Sequence, residues 1–448
     1  MLSQEDTELL TRIGPGTAMG ELMRQYWHPV AYPWELEPDG QPLRVRILGE
    51  DLVAWRSSDG TPAFTQQRCP HRGTSLYFGR NEENGIRCAY HGWKFDADGA
   101  CVDMPNERDE SNFKHKVRIT AYKGADFGGL VWIYMGPNQS DPPGIPQFEW
   151  GLVPEEQRSH YRKVVYECNW MQALEGEMDS THIYFLHSRL RRDDSPKYGT
   201  FHTALSAEFH LRDADFGMTY AAERLEEDGN TYWRTTHFLF PAYGMFPGAE
   251  HSIPLSIYVP IDDEHTLHMG IRWSPSKAVS GPPWPTPDLS DVPGELAEGM
   301  GPMKPEQKSR YFAKWWPEAS PETDFFMDLG VKKTKNATGI PSVRLQDSAV
   351  LWSMGPIMDR TLEHLCTTDS AIIKVRRKLL AAARQLREDG TPPPGVEHPE
   401  LYNVRSCNVS LPPDADWEEA LADWHYARTK EYPRSATGER SAPAHTRR

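Results

Sequence analysis

Short runs of apolar residues, either continuous or alternating with polar ones, recur between about residues 40 and 135 and predict β-strands. The clearest runs are LRVRILG (43–49), DLVAWRS (51–57) and GLVWIYM (129–135). Asp-Gly pairs at 59–60 and 98–99 are typical of hairpin turns. We therefore expect a small all-β domain in this part of the chain.

The pattern changes after a Pro-rich break at 138–147. The segment NWMQALEGEMDSTHIYFLH (169–187) has a helical composition, and residues 369–388 have the amphipathic pattern of a helix that ends before Gly390. Strand-like runs lie between the two: MTYAAERL (218–225), TYWRTTHFLF (231–240), LSIYVP (255–260) and TLHMGIRW (266–273). Because strands and helices do not alternate regularly, we expect an α+β domain with an antiparallel sheet.

These patterns divide the chain into four parts. The parts are an N-terminal helical segment (1–38), the small β domain (39–150), the larger α+β domain (151–433) and a polar tail (434–448) that is expected to be disordered. The helix predicted over residues 3–27 is interrupted by Gly14-Pro15-Gly16. Residues 274–305 are rich in Pro and Gly and indicate a long surface excursion.

Composition excludes several classes of protein. The chain has 448 residues, of which 64 are acidic and 49 are basic, and its formal charge of −15 argues against a nucleic-acid binder. Six cysteines in so long a chain do not form a disulfide framework. No apolar run is long enough to cross a membrane, and the N-terminus lacks the features of a signal peptide. We therefore expect a cytoplasmic protein.

The strongest chemical signal is a pair of short motifs, CPHRG (69–73) and CAYHGWKF (88–95). Each motif offers one thiol and one imidazole: Cys69 with His71, and Cys88 with His91. A structural zinc site usually takes like ligands from each loop, and such a site is the alternative here. Mixed loops suit a two-iron cluster that is held by two thiolates on one iron and two imidazoles on the other.

Neighbouring residues agree with a cluster site. Gly73 and Gly92 allow close approach of the backbone, and Tyr90 and Trp93 are expected to shield the metal from water. The remaining thiols are expected to be buried and unreactive. They are Cys101, Cys168, Cys366 and Cys407.

The spacing C-x-H-x16-C-x2-H resembles the Rieske domain of ring-hydroxylating oxygenases. The stretches GPGTAMGELMRQYWHPV (14–30) and CVDMPNE (101–107) resemble the phthalate dioxygenase branch, whose oxygenase has a single type of subunit. The resemblance implies a [2Fe–2S] cluster in the β domain. It also implies a catalytic domain in which the antiparallel sheet wraps around helices, a helix-grip arrangement.

A second motif, D-x2-H-x4-H, lies in the helical segment of the larger domain and comprises Asp179, His182 and His187. In a continuous helix Asp179 and His182 share a face, whereas the two histidines differ by about 140°. Both can bind one metal only if the helix ends or distorts near Tyr184 and Phe185. Two half-buried, hydrogen-bonded histidines are the alternative interpretation.

Two histidines and one carboxylate form the facial triad of non-heme Fe(II) oxygenases. The segment RLQDSAVLWSMGPIMDRTLEHL (344–365) resembles a later motif of the family, and the resemblance makes Asp347 the third ligand. Asp359 is then a partner of Arg360 or a helix cap. Glu175 is a candidate for a residue that supports the iron ligands without binding the iron itself.

The resemblance gives Asp179 a separate role, in which it links the iron site to the Rieske cluster of a neighbouring subunit. A carboxylate at this position can also orient His182 through the second ring nitrogen. A first-turn helix carboxylate without a redox role is the alternative.

The implied protein is a terminal oxygenase. A separate reductase of the flavin and iron–sulfur type passes electrons from NAD(P)H to the cluster, and the mononuclear Fe(II) uses them with O2 to hydroxylate an aromatic substrate. The family implies a homotrimer or stacked trimers. Oxidative O-demethylation of a methoxylated aromatic acid is an alternative, and an electron-transfer protein without catalytic iron is another.

The branch mostly handles aromatic carboxylates, so a cation is expected in the substrate pocket. Arg224 and Arg234 flank the predicted hairpin turn at Asp228-Gly229 and are candidates for a guanidinium contact with a carboxylate. Arginines on the solvent face of a strand are the alternative. Trp170, Phe185 and Phe238 are candidates for an aromatic lining or for the core.

Overall fold

A computed structural model of the chain describes residues 2–108, 110–188, 190, 206–248, 251–279 and 301–436. Most of the predicted excursion at 274–305 and most of the predicted polar tail lie outside these described residues. No described helix combines the length and the apolar character that a membrane crossing requires.

The described helices and strands follow in chain order. The helices are α1 (Gln4–Thr11), α2 (Ala18–Arg24), α3 (Glu149–Leu152), α4 (Trp170–Met178), α5 (Ile183–Leu186), α6 (Leu329–Thr334), α7 (Val343–Ser353), α8 (Ser370–Asp389) and α9 (Trp417–His425). The strands of the first domain are β1 (Trp27–Ala31), β2 (Leu43–Ile47), β3 (Glu50–Arg56), β4 (Pro62–Gln66), β5 (Arg80–Glu82), β6 (Gly85–Arg87), β7 (Lys94–Phe95), β8 (Cys101–Asp103), β9 (Ala121–Phe127) and β10 (Leu130–Tyr134). Those of the second are β11 (Arg158–Tyr166), β12 (Glu208–Ala214), β13 (Gly217–Leu225), β14 (Thr231–Leu239), β15 (Tyr243–Met245), β16 (Ile253–Pro260), β17 (Thr266–Trp273) and β18 (Asn408–Leu411).

The N-terminal segment contains two short helices and a strand. Ser3 caps α1 by accepting from the Asp6 backbone N–H, and Thr17 caps α2 in the same way. The turn between them passes through Gly16 at a φ of 80°, as the predicted interruption requires. Both helices pack on α8, whereas β1 pairs with β10. The small domain's sheet thus begins ahead of the expected boundary at residue 39.

The small domain is all-β, as predicted. Its six-stranded sheet has the order β1-β10-β9-β4-β3-β2, and a four-stranded sheet has the order β5-β6-β7-β8. This domain contains a separate apolar cluster. It contains Cys69 and Cys88 together with Trp55, Leu76 and Phe95.

The larger domain is built on an antiparallel sheet, as expected for an α+β fold. Its strand order is β11-β17-β16-β15-β14-β13-β12, and β18 adds to β14. Helix α4 packs against β15 and β16, and α7 packs against α4. The sheet therefore wraps around the segment that carries the second motif.

The long amphipathic helix predicted at 369–388 is confirmed as α8. Its buried positions recur at helical spacing, from Ala371 to Ala383. Gly390 ends it in the left-handed conformation with a φ of 78°, which a glycine adopts without strain.

Candidate functional site

The two Cys-His motifs form matching loops. The Gly73 N–H donates to the Cys69 carbonyl over 2.9 Å, and the Gly92 N–H donates to the Cys88 carbonyl over 3.1 Å. Both glycines have a positive φ, 75° and 76°, so each loop closes in a conformation that favours glycine. The loops therefore present a cysteine and a histidine each in the same way.

The structure places the two histidines of these motifs together, and the two cysteines lie next to each other. Both thiols are buried, and the rings of His71 and His91 are 4.4 Å apart between centroids. The Nδ1 atom of His71 is buried and has no hydrogen-bond partner among the described residues. Burial raises the pKa of the Cys69 thiol to about 12, and the adjacent Cys88 thiol raises it too. An unused imidazole nitrogen and thiols that need a compensating cation to ionise fit a bound iron–sulfur cluster.

Of the two aromatic residues expected to shield the cluster, one is buried and the other is exposed. Trp93 is buried, stacks on His71 at 4.5 Å and donates from Nε1 to the side-chain oxygen of Asn106. Tyr90 is 55% exposed, although its ring lies 3.9 Å from that of His91. The His91 side of the site is therefore open to solvent.

Of the remaining cysteines, Cys366 is exposed, contrary to the prediction, because it precedes the exposed turn that leads into α8.

The second motif contains a break in the helix ahead of both histidines. Helix α4 ends at Met178, Asp179 has extended backbone angles (φ −94°, ψ 106°), and α5 begins at Ile183. The cause is Asp179 itself, since its Oδ1 accepts from the Thr181 N–H at 2.7 Å and the Thr181 hydroxyl at 2.6 Å. Asp179 and His182 therefore do not share a helical face. The two histidines flank the four-residue helix α5, which ends at Leu186, close to the predicted end near Tyr184 and Phe185.

Beyond this break, the two histidines lie close to one carboxylate. Asp347 Oδ1 lies 3.0 Å from His187 Nε2 and 3.8 Å from His182 Nε2. One ligand atom from each of the three residues lies within 4.8 Å of the others. Asp347 lies in α7, five residues after the N-cap Ser342. Two imidazoles and a carboxylate at this spacing fit a facial-triad iron, which leaves coordination positions for other ligands.

Neighbouring side chains fix the three groups. The Oε1 of Gln346 is 2.8 Å from His187 Nδ1, which places the ring hydrogen there and directs Nε2 to the metal position. The second oxygen of Asp347 lies 3.8 Å from Arg344, which is 3.7 Å from Glu177. Although burial alone would raise it, the pKa of Asp347 is held at about 2 by His187, His182 and Arg344. Sequence reasoning missed Gln346 and Arg344, although both lie within three residues of Asp347.

Asp179 is also ionised. Burial opposes this, but contacts with His182 and Thr181 lower the pKa of Asp179 to about 2. Its Oδ2 lies 3.6 Å from His182 Nδ1, which is slightly longer than a hydrogen bond. The carboxylate thus faces the ring nitrogen that the metal position leaves unused.

Two acidic residues have roles other than those expected. Glu175 accepts from Arg360 Nη2 at 3.0 Å and from Arg376 Nε at 2.6 Å, inside a buried ion-pair network. Asp359 neither pairs with Arg360 nor caps a helix: it accepts from the N–H and hydroxyl of Thr361 in an exposed turn. Glu175 therefore joins α4 to α8 rather than supporting an iron ligand.

The two candidate substrate arginines are buried on one face of the sheet. Arg234 pairs in register with Ala222, which is two residues from Arg224, so both side chains project to the same side. Arg234 donates to the Thr236 hydroxyl over 3.0 Å. Arg224 is 3% exposed, and its Nε and Nη1 atoms have no hydrogen-bond partner among the described residues. Tyr184 of α5 lies close enough to Arg224 to influence its pKa electrostatically, so this face of the sheet lies near the second motif.

Three aromatic residues named as pocket candidates are divided between core and surface. Trp170 and Phe238 are fully buried in the main apolar cluster, whereas Phe185 is 78% exposed beside the second motif.

Comparison with known proteins agrees with this arrangement. Residues 26–122 match the Rieske [2Fe-2S] domain family, and residues 133–437 match the family described as LigXa C-terminal domain like. The chain is 39% identical to the 3-chlorobenzoate-3,4-dioxygenase oxygenase subunit of Comamonas testosteroni, over 94% of this chain and 98% of that protein. It is 34% identical to the phthalate 4,5-dioxygenase oxygenase subunit of Pseudomonas putida, over 95% and 96%.

A demethylase is also similar. The chain is 33% identical to the 5,5'-dehydrodivanillate O-demethylase oxygenase subunit of a Sphingobium species, over 90% of this chain and 85% of that one. Among solved structures, dicamba monooxygenase bound to dicamba aligns with a TM-score of 0.53 at 18% identity, covering 82% of this chain and 98% of that one. The terminal oxygenase of carbazole 1,9a-dioxygenase from Nocardioides aromaticivorans aligns with a TM-score of 0.51 at 17% identity, over 85% and 100%. The two structures share the fold.

The matched families cover both domains, and the first relatives cover nearly the whole chain. The chain therefore belongs to the Rieske non-heme iron oxygenases as an oxygenase alpha subunit, an oxidoreductase that uses a Rieske [2Fe–2S] cluster, a mononuclear iron, O2 and electrons delivered by a reductase.

Proposed function

We propose that this oxygenase hydroxylates an aromatic carboxylate. The observation that carries the proposal is the buried guanidinium of Arg224, which has unused hydrogen-bond donors on the sheet face near the second motif. A buried cation without a counter-ion is costly, and a substrate carboxylate would supply the missing charge. Two similar proteins are named for oxidation of 3-chlorobenzoate and phthalate, which supports a substrate of this class.

The contrast with other buried arginines supports this assignment. Arg56, Arg360, Arg376 and Arg405 each bind at least one carboxylate of this chain. These four buried arginines are therefore neutralised from within the chain. The structure gives Arg224 no such carboxylate among the described residues, so its natural partner is a ligand.

Each metal group has an assigned set of residues. Cys69, His71, Cys88 and His91 would hold the cluster. His182, His187 and Asp347 would hold the iron, which supplies activation of O2 when bound. Gln346 holds the His187 ring in the tautomer that offers Nε2, and Arg344 faces the Asp347 oxygen turned away from the histidines.

Asp179 is proposed to connect the two kinds of site across a subunit contact. Its ionised carboxylate faces His182 Nδ1. His91 is on the open side of the small domain, where another subunit could approach it. This arrangement needs a homotrimer or stacked trimers, and it needs a flavin and iron–sulfur reductase as the electron donor. Light scattering of the holoenzyme tests the oligomeric state, and a monomer would contradict it.

Oxidative O-demethylation of a methoxylated aromatic acid is the second candidate. The similarity to an O-demethylase subunit over 90% of this chain favours it. Both reactions use the same metal sites and the same carboxylate anchor, and they differ in the substituent that the anchor brings to the iron.

Product analysis with a reconstituted reductase tests the proposal. The panel is benzoate, 3-chlorobenzoate, phthalate and a methoxybenzoate, each compared with its neutral amide. We expect oxygen-dependent products from acids and little from amides, and formaldehyde would identify demethylation. Arg224→Gln should lower kcat/KM for the acids by at least about tenfold. Equal turnover of acids and amides by the wild type would contradict the proposed substrate class.

A further inference from the structure

Glu177 is a carboxylate that lies close to the iron residues without being one of them. It is in the last turn of α4, two residues before Asp179, and its side chain is 12% exposed. Its Oε1 accepts from the Ser256 hydroxyl over 2.7 Å and from the Tyr258 hydroxyl over 2.8 Å. Two hydrogen bonds to one charged oxygen hold this carboxylate in place.

The sheet presents these donors to the helix. Ser256 and Tyr258 are two residues apart on β16, so both side chains project from the same side of the strand. Gly244 of β15 is the register partner of Ser256, and a Cβ at Gly244 would lie 3.0 Å from Glu177 Cβ. The glycine therefore lets the stem of Glu177 lie against the backbone of the sheet, while the neighbouring strand binds its carboxylate.

Arg344 links this carboxylate to the iron residues. Its Nη1 lies 3.7 Å from Glu177 Oε1 and 3.8 Å from Asp347 Oδ2, which are distances of ion pairs rather than of hydrogen bonds. Arg344 and Asp347 are three residues apart in α7, so their side chains lie on one face of the helix. The Arg344 side chain is 9% exposed. One buried guanidinium therefore faces a carboxylate of α4 and a carboxylate of α7.

The two oxygens of Asp347 have different surroundings. Oδ1 lies 3.0 Å from His187 Nε2 and 3.8 Å from His182 Nε2, whereas Oδ2 faces Arg344. The oxygen beside the imidazoles is placed to bind a metal, and the other is attracted to the guanidinium. A carboxylate that binds through one oxygen takes one coordination position, so it leaves more positions open than one that binds through both.

We propose that Glu177 is a positioning residue for the iron site: it holds Arg344 beside Oδ2 of Asp347, so that Asp347 offers Oδ1 to the metal. The arginine side chain is long and flexible, and a fixed carboxylate offsets the entropy that it loses by staying in one place. This role rests on the proposed function, because it requires Asp347 as an iron ligand, and it is independent of the substrate class.

A double-mutant cycle on Fe(II) affinity tests this role. Fe(II) is titrated into protein that retains its cluster and has lost the mononuclear iron. Glu177→Gln should weaken Fe(II) binding about tenfold when Arg344 is present. In the Arg344→Gln background the same substitution should change the affinity less than about twofold, because Glu177 then has no guanidinium to hold. A direct effect of the Glu177 charge on the metal would be the same in both backgrounds.

A spectroscopic readout separates positioning from stability. The Fe(II)–nitric oxide complex has an electron paramagnetic resonance signal that reports the geometry of the iron ligands, and the oxidised cluster is silent in this measurement. We expect one signal in the wild type and a broadened or second signal in Glu177→Gln, since Asp347 is then held in more than one way.

Two tyrosine variants complete the test without changing any charge. Tyr258→Phe removes one donor to Glu177 and keeps the ring that stacks on His268 at 4.7 Å. It should weaken Fe(II) binding by a smaller factor and broaden the signal in the same way. Tyr122→Phe, which removes a hydroxyl bonded to Glu50 in the small domain, is the matched control and should alter neither.

The outcomes separate this role from the proposed iron ligands. Equal weakening by Glu177→Gln in both backgrounds overturns the role, and so does a wild-type affinity and signal in Glu177→Gln. If Glu177→Gln does not fold, Tyr258→Phe decides through the same cycle and the same signal. Asp347→Ala should bind Fe(II) far more weakly in every case, and an unchanged affinity there would overturn the proposed ligand and the positioning role together.

Discussion

His187 Nε2 lies 3.0 Å from Asp347 Oδ1, although 160 residues separate the two in the chain. His187 lies at the C-terminal end of the short helix α5, and Asp347 lies in α7, five residues after the N-cap Ser342. Between them they define the metal position, and the side chains around it determine how firmly the ligands are held.

Gln346 should affect iron affinity without being a ligand. In Gln346→Leu the His187 ring loses the acceptor that fixes its tautomer, so Fe(II) should bind about 10- to 100-fold more weakly. Gln346→Glu keeps an acceptor and should restore binding. Fe(II) titration of metal-depleted protein measures both, and equal affinity of Gln346→Leu and the wild type would refute the role.

Asp179→Asn should slow electron transfer between the Rieske cluster and the mononuclear iron. The amide removes the negative charge that faces His182 while keeping the side chain's shape. We expect both metal sites to fill and the cluster to be reduced normally, while product formation falls about 100-fold. Rapid-mixing spectroscopy of cluster re-oxidation, with substrate and O2 present, measures the transfer. Re-oxidation at the wild-type rate would show that Asp179 has no part in it.

Glu175 should matter for stability and not for iron. Glu175→Gln leaves Arg360 and Arg376 buried without full compensation, which costs about 3–5 kcal/mol of unfolding free energy. The iron content of the folded variant should be normal. Asp359→Asn, in the exposed turn, is the matched control and should leave Tm unchanged. If Glu175→Gln lost iron while its Tm stayed unchanged, Glu175 would instead have a role in holding the iron.

His237 should make the catalytic domain sensitive to acid. Burial lowers the pKa of His237 from 6.5 to about 4, while its ring contacts the Thr219 hydroxyl and the Arg405 carbonyl. The unfolded chain binds the extra proton first as pH falls through 6.5, so the folded state loses up to about 3 kcal/mol between pH 6.5 and 4. Denaturant unfolding across this range should show a shallower slope in His237→Gln than in the wild type, with exposed His398→Gln as control. Identical slopes would contradict this.

The sequence was sufficient for much of the architecture. The strand runs and the Gly390 helix stop are local signals, and each appears where its pattern predicts. The position of the helix break was not predictable from apolar spacing, because the bonds from Thr181 to Asp179 decide it. The partners of Glu175 were also hidden, since Arg360 and Arg376 meet it only after the helices pack.

The candidate substrate arginines show the same limit. Arg224 and Arg234 could be named because they flank an evident hairpin, but the unpaired Nε and Nη1 atoms of Arg224 are a property of the assembled sheet.

The most direct test of the two-site account is iron analysis of Asp347→Ala beside the wild type. The wild type should contain about three iron atoms per chain, two in the cluster and one in the catalytic domain. Asp347→Ala should retain about two, keep the electron paramagnetic resonance signal of the reduced cluster and lose product formation. Equal iron content in both proteins, with normal hydroxylation by Asp347→Ala, would contradict the account.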